Sequence, residues 1–284
     1  MKILFIGDIV GKSGREALLN NLNLLKEKYK PEIIIVNAEN AASGYGLNKK
    51  IAEEIFLQDV DVITLGNHAW DEREMLSYIE EKSNIIRAIN YPKQVPGRGE
   101  YKILLDDGRS FIVIQVMLRL FMGISLDDPF SVIRERLSSE FLGKTCSGIL
   151  IDLHGETTSE KNAFAHYVDG KVTAVLGTHT HIPTADARIL ENKTAYQTDV
   201  GMTGDYNSVI GFNKENPIHA FTKGYRAEGR FVPATGKGLL CGAYLESDDN
   251  TGLANKIEPF QIWNISHIRH NIIVFFHNLI NLLY

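Results

Sequence analysis

Cysteine is scarce in this chain of 284 residues. Only Cys146 and Cys241 occur, far apart and without the paired spacing of a zinc ribbon or a disulfide framework, so both are expected to be reduced and structural. Long apolar runs are also missing. No stretch reaches the roughly 18 uninterrupted apolar residues that a membrane-spanning helix needs. The opening Met-Lys-Ile-Leu-Phe-Ile-Gly-Asp has too short an apolar run for a signal peptide and stops at an acid. It reads as a first strand, and the cytoplasm is the expected location. An excess of positive charge is lacking too. A formal net charge of -5 gives no sequence-wide basic field of the kind that holds duplex nucleic acid through its phosphates, although a nucleotide-sized ligand is still allowed. There is no internal repeat.

Two signatures that would point elsewhere fail on spacing. Gly7-Asp-Ile-Val-Gly11-Lys12-Ser13 has three residues between its glycines where a Walker loop needs four, and Asp8 would repel the phosphates such a loop cradles. No His-Glu-x-x-His helix occurs, which removes the usual zinc site for cutting amides.

With 44% hydrophobic and 23% charged residues, the composition is that of a globular chain long enough for one sizeable core. Apolar runs of strand length sit at Ile3 to Ile6, Ile33 to Val36, Val60 to Leu65, Phe111 to Val116, Ile149 to Leu153 and Val172 to Leu176. Their near-continuous hydrophobicity marks strands covered on both faces. Helical spacing fills Arg15 to Tyr29, Lys49 to Leu57, Glu72 to Lys82 and Pro129 to Phe141, so strand and helix alternate and the class is α/β. From about Thr184 the runs shorten and are broken by Gly-Lys-Gly and Asp-Asp-Asn, which suggests hairpins.

Ligands in such folds gather at the carboxyl ends of strands, and the polar residues fall there. Asp8 follows the first run, Glu39 and Asn40 the second, Asn67 and His68 the third, His154 a later one, and His179 with His181 another. Singly, each has an ordinary explanation as a helix cap or a satisfied polar group. Five such positions in one domain point instead to a metal site built from hard oxygens and imidazoles. Alternate residues of a strand face opposite ways, so two neighbouring ligands in His-x-His require a turn just past Leu176, which Gly177 permits. His68 either packs on Trp70 or acts on substrate. His166, in a helical stretch, and His219, in a loop, are expected at the surface, and Thr157 either caps the helix near Ser159 or touches phosphate.

Gly-Asn-His followed by an acid, a later lone His, and Gly-x-His-x-His together resemble the calcineurin-like metallophosphoesterases. The variants narrow the resemblance, because the usual Asp-x-His is here Asp8-Ile9-Val10 and the usual Gly-Asp is replaced by Glu39-Asn40. That pattern is similar to the bacterial YmdB-type branch. The matching stretches include Asn37 to Gly46, Gly66 to Asp71, Leu126 to Phe130, His154 to Lys161, Gly177 to Ala187 and Thr198 to Gly211, so the resemblance covers most of residues 1 to 260.

The resemblance implies a four-layer α/β/β/α sandwich with two metal ions per chain, iron or manganese first and zinc or magnesium as alternatives. It implies that Asp8, Asn40 and His181 hold one metal, that Asn67, His154 and His179 hold the other, and that Glu39 bridges both beside a bridging water that is the nucleophile. His68 is left unligated, as general acid or charge-stabilising donor. The implied activity is phosphodiester hydrolysis with 2',3'-cyclic nucleotides as first choice. A 5'-nucleotidase or other phosphomonoesterase, or a regulatory protein that binds a nucleotide or RNA end with slow turnover, is the alternative. A homo-oligomer is expected by the same analogy. The domain is expected over residues 1–262, with an atypical tail over 263–284 that carries His267, His270 and His277.

Overall fold

The computed structural model describes residues 1–227 and 229–263. Strand β1 (Lys2–Ile6) leads into helix α1 (Gly11–Tyr29), followed by β2 (Ile33–Asn37), α2 (Lys49–Phe56), β3 (Val62–Thr64), α3 (Met75–Glu81) and β4 (Ile85–Ile86). A second series runs β5 (Glu100–Leu104), β6 (Ser110–Met117), α4 (Pro129–Leu137), β7 (Gly148–His154), α5 (Thr158–Tyr167) and β8 (Ala174–Thr178). Then come β9 (Arg188–Ile189), β10 (Ala195–Gln197), β11 (Gly204–Asp205), α6 (Glu215–Lys223), β12 (Gly238–Ser247) and β13 (Ala254–Trp263).

The strands form two sheets. One has the order β11-β12-β1-β2-β3-β4, with β13 also paired to β12, and the other β5-β6-β7-β8-β10-β9. Strands β1 to β4 are parallel, and β12 joins β1 antiparallel. In the second sheet β6, β7, β8 and β10 are parallel, with antiparallel β5 and β9 at the edges.

The side-chain period of two explains the continuous apolar runs. Leu4 and Ile6 of β1 pack with Leu18, Leu22 and Leu25 of α1, which recur at helical spacing. Ile3 and Phe5 point the other way, into a cluster shared with Phe111, Val113, Leu150 and Leu176 of the second sheet. On the far face of that sheet Ile112, Ile114, Ile149 and Ile151 meet Ile133 of α4 and Phe164 of α5. Three apolar clusters thus separate four layers, the expected α/β/β/α sandwich.

Differences from the sequence reading lie at boundaries and after residue 184. Helix α1 starts at Gly11, four residues before the expected Arg15, because its first turn follows Val10, whose extended backbone caps without any side-chain hydrogen bond. The late segment holds the expected hairpin, β12 with β13, but also α6, which had read as loop; His219 lies on that helix, half-buried, its ring 4.9 Å edge-on from Tyr225. Both cysteines are free and buried. Among the described residues no helix is long and apolar enough to cross a membrane. After Trp263 the expected tail, with His267, His270 and His277, lies outside the described residues.

Candidate metal centre at the joined strand ends

Parallel strands end together, so loops from both sheets meet at one edge of the sandwich. Asp8 lies two residues past β1, Glu39 and Asn40 just past β2, and Asn67 and His68 past β3; His154 closes β7, and His179 and His181 follow β8. The loops hold one another through backbone hydrogen bonds, Ile9 N to Asn37 O at 2.9 Å, Gly11 N to Asn40 O at 2.9 Å and Thr203 N to Asp8 O at 2.8 Å. The residue types fit these turns. Asn37 Oδ1 accepts from Glu39 N at 3.1 Å, a local side-chain turn that aims the Glu39 carboxylate inward. Gly66 allows a close approach, since a Cβ there would overlap the His154 imidazole and Glu39 Oε2.

The His-x-His turn forms differently from the expectation. Strand β8 runs through Gly177 to Thr178, and the chain turns at the histidines themselves, with φ of 100° at His179 and 67° at His181. Gly177 is required for another reason, because a Cβ on it would strike the Thr198 carbonyl. Left-handed backbone at a non-glycine residue costs on the order of 1–3 kcal/mol and persists only where the surroundings over-determine it. Here they do. Lys161 Nζ donates to Thr178 O at 2.7 Å and to Asp199 Oδ2 at 2.9 Å. Asp199 Oδ2 also accepts from Thr180 N at 3.0 Å and Thr180 Oγ1 at 2.8 Å, and Met202 N donates to His181 O at 2.9 Å. The Lys161 and Asp199 side chains are completely buried.

Each ring has one nitrogen committed to an outer partner. Thr178 Oγ1 donates to the buried Asp152 at 2.6 Å and, having no second proton, accepts from His154 Nδ1 at 2.9 Å. His181 Nδ1 donates to Ile210 O at 2.8 Å, and His179 Nε2 lies 3.3 Å from Glu156 Oε2. The opposite nitrogens converge on acceptors. His154 Nε2 has Asn67 Oδ1 at 2.9 Å, Glu39 Oε1 at 3.0 Å and His179 Nδ1 at 3.1 Å around it. Asn40 Nδ2 donates to Gly44 O at 2.9 Å, which turns its Oδ1 toward His181 Nε2 at 3.3 Å. Asp8 Oδ2 accepts from His179 N at 3.3 Å, and the buried Oδ1 has no partner among the described residues.

One proton on His154 Nε2 serves only one of its three neighbours, whereas a cation would serve them all. The donor chemistry therefore fits metal ions. The ligand atoms of Glu39, His154 and His179 lie within 4.8 Å of one another. Burial works against a charge on His154, but Glu39, with Asp8 and Asp152, outweighs it and pushes the ring up. Burial works against the Glu39 charge, yet His154 beside it, with His68 and His179, holds the carboxyl well below its ordinary range. Burial pushes Asp8 well up, with His154 opposing and Asp199, Glu39 and Asp152 adding to the rise. Burial, then the charge of His154, pushes His179 down to about 3, and burial lowers His181 as well, so both rings are neutral at pH 7, the form in which an imidazole could bind a metal.

His68 stands apart from this cluster. Its backbone N donates to Glu39 Oε2 at 2.9 Å, and its Nδ1 lies 2.7 Å from Asp71 Oδ2. Its ring meets Tyr45 edge-on at 5.2 Å, not Trp70. With Nδ1 committed to Asp71, the ring is oriented and Nε2 has no hydrogen-bond partner among the described residues. The cleft it lines, about 380 Å³, also touches Glu39, Asn40, His179 and His181. Sequence reasoning had left out Asp71 as orienter, the Lys161–Asp199 pair, and Tyr45. Only Asp71 carried a signal, three residues from His68 in Gly-Asn-His-Ala-Trp-Asp. Thr157 is at the N-cap position of α5 but makes no side-chain cap, and His166 is exposed on that helix.

Comparison with known proteins agrees with the fold. The family model described as YmdB-like protein matches residues 4–260. A 2',3'-cyclic-nucleotide 2'-phosphodiesterase of Bacillus subtilis is 43% identical over 262 residues, covering 92% of this chain and 97% of that protein. The crystal structure of a novel phosphatase from Mycoplasma pneumoniae superposes with a TM-score of 0.85 at 36% identity, covering 93% of each chain. The calcineurin-like phosphoesterase YfkN of Bacillus subtilis shares the fold alone, with a TM-score of 0.54 at 12% identity over 94% of this chain and 91% of that one.

Proposed function

We propose, starting from the fact that the chain belongs to the YmdB-like protein family, that it is a metal-dependent phosphodiesterase acting on 2',3'-cyclic nucleotides. The observation that carries this reading is the convergence of carboxylate, amide and imidazole donor atoms from both sheets on a cleft that an oriented, unligated histidine also lines. Asp8, Asn40 and His181 would hold one cation, Asn67, His154 and His179 a second, with Glu39 shared between them. Iron or manganese suits this mixed oxygen and imidazole set, with zinc or magnesium as alternatives. Such a pair supplies an activated water and positive charge for the phosphoryl oxygens.

The chain's own residues do the rest. Opening a 2',3'-cyclic phosphate breaks one P–O bond, and the ribose oxygen that leaves must gain a proton. His68 would supply that proton. Asp71 accepts from its Nδ1, which orients the ring with Nε2 toward the cleft, and the Glu39 contact to the His68 backbone fixes the distance between donor and cluster. The outer partners Thr178, Ile210 and Glu156 hold the imidazoles in the tautomers that keep their inner nitrogens free. Two free, buried cysteines are compatible with a reducing cytoplasm, and assembly as a homo-oligomer is the analogy to check by light scattering.

The test is metal analysis of the purified protein together with hydrolysis of 2',3'-cyclic AMP, manganese being added and then chelated. About two metals per chain and chelator-sensitive cleavage are expected. Glu39→Gln should lose metal and activity together; full activity in that variant overturns the assignment, and metal without any cleavage would turn the reading toward binding alone.

A further inference from the structure

We propose that Tyr45, Phe212 and Phe231 form a stacking wall for the nucleobase, so that the cleft reads the base as well as the phosphate. This rests on the phosphodiesterase reading above and extends it to a part of the substrate that the metal centre cannot sense. The cleft has two chemically distinct sides. One is polar, with Glu39, Asn40, His179 and His181; the other is aromatic, with Tyr45, Phe212 and Phe231.

The aromatic side begins at His68 and runs outward. The Tyr45 ring lies 5.2 Å from the His68 ring, Phe212 lies 5.4 Å from Tyr45, and Phe231 lies 6.0 Å from Phe212. The local sequence seats these rings. Gly44, at φ of 86°, has no side chain where a Cβ would come 2.8 Å from Phe212 Cε1, so the 43–46 loop closes directly on the ring. Phe212 is buried, while Tyr45 and Phe231 are half-buried and keep surface for a ligand. Arg230 lies over Tyr45 at 5.3 Å and Arg226 over Phe231 at 5.7 Å, which places positive charge on the rim where a nucleotide enters.

A cleft of about 380 Å³ is of the size that takes one small ligand. With the cyclic phosphate at the polar side next to His68, the base is carried to the aromatic side. Stacking is sequence-tolerant because every base has a π-face. Purines should therefore be preferred to pyrimidines through their larger area, with little discrimination between adenine and guanine.

The experiment uses the metal-loaded enzyme and two substrates with the same five-membered phosphate ring, adenosine 2',3'-cyclic phosphate and glycerol 1,2-cyclic phosphate, which has no base. In the wild type the adenosine compound should have the larger kcat/KM. Phe231→Ala should reduce that ratio on the order of tenfold, and Phe231→Tyr should restore it. Tyr45→Leu should reduce it as well, any common effect through His68 cancelling in the ratio. Calorimetric binding of adenosine should weaken in parallel. A wild-type ratio near one, or an unchanged ratio with unchanged adenosine affinity in Phe231→Ala, overturns the wall. If neither substrate is cleaved, the phosphodiesterase reading fails, and adenosine binding by itself still decides the wall.

Discussion

Lys161→Met is the perturbation that best separates support of the metal centre from the centre itself. Lys161 and Asp199 are both completely buried and in contact at 2.9 Å, and Lys161 also donates to Thr178 O. Removing the amine leaves the Asp199 carboxylate in the interior, and breaking a buried pair on one side costs about 3–5 kcal/mol. Three donors remain on Asp199, from Thr180 N, Thr180 Oγ1 and Gly201 N. They place the cost near the lower end, about 3 kcal/mol. At about 2–4 °C per kcal/mol for a domain approaching this size, the metal-free protein should melt roughly 6–12 °C lower. Lys12→Met is the control. Its partner Glu16 is 3.5 Å away and both side chains are more than half exposed, so less than about 1 kcal/mol is at stake. The pair also flanks the two left-handed histidines, so Lys161→Met should lower metal content measured at equal protein, and adding Asp199→Asn should recover part of the stability. A melt within about 2 °C of wild type with full metal content would refute the argument that this buried pair holds the turn.

His68→Ala should retain both metals and lose about 10²–10⁴ in rate, with Asp71→Asn losing less because it removes only the orienting contact; unchanged turnover in His68→Ala removes its role as donor. Gly66→Ala should fold but lose most of its metal, because the new methyl lies on His154 and Glu39; full occupancy by elemental analysis would contradict that geometry. Glu258 tests the acid limb of stability. Lys256 first, then Tyr29 and Lys28, hold its carboxyl down to about 2 from 4.5. A depressed carboxylate stabilises the fold above its unfolded pKa and loses that contribution as pH falls from about 4.5 toward 2. With 35% of the side chain exposed, screening limits the effect to under about 1 kcal/mol. Urea melts of Glu258→Gln should thus differ from wild type most at pH 6, with the difference shrinking as pH falls from 4.5 toward 2, and a difference undiminished at pH 2 would contradict the assignment.

The parts of the fold that were legible are those in which one residue's environment is set by its own strand. Ile3 to Ile6 read as continuously apolar because alternate residues enter two different clusters, and the same holds for Phe111 to Ile114. Parallel strands also made the site legible, since their carboxyl ends must share one edge, and Asp8, Glu39, Asn40, Asn67, His154, His179 and His181 meet there. The helix starts were less clear. Val10 offers no capping side chain before α1, and propensity cannot place a boundary that tertiary contacts fix.

What escaped the sequence depends on partners far along the chain. Lys161 lies on α5 with Glu160 and Asn162 beside it, where a lysine ordinarily belongs to a solvated face. Its burial is decided by Asp199, 38 residues later, and by a carbonyl at the end of β8. The same distance effect explains the error at Gly177. A glycine beside His-x-His invites a turn there, but the Thr198 carbonyl claims the space above it and keeps the strand straight. The turn then falls to His179 and His181, residues that adopt positive φ only because Asp199, Lys161 and Met202 hold the chain on either side. Local strain at His179 and His181 and a buried ion pair behind them are therefore one device, and the Lys161→Met melt and its metal content should move together.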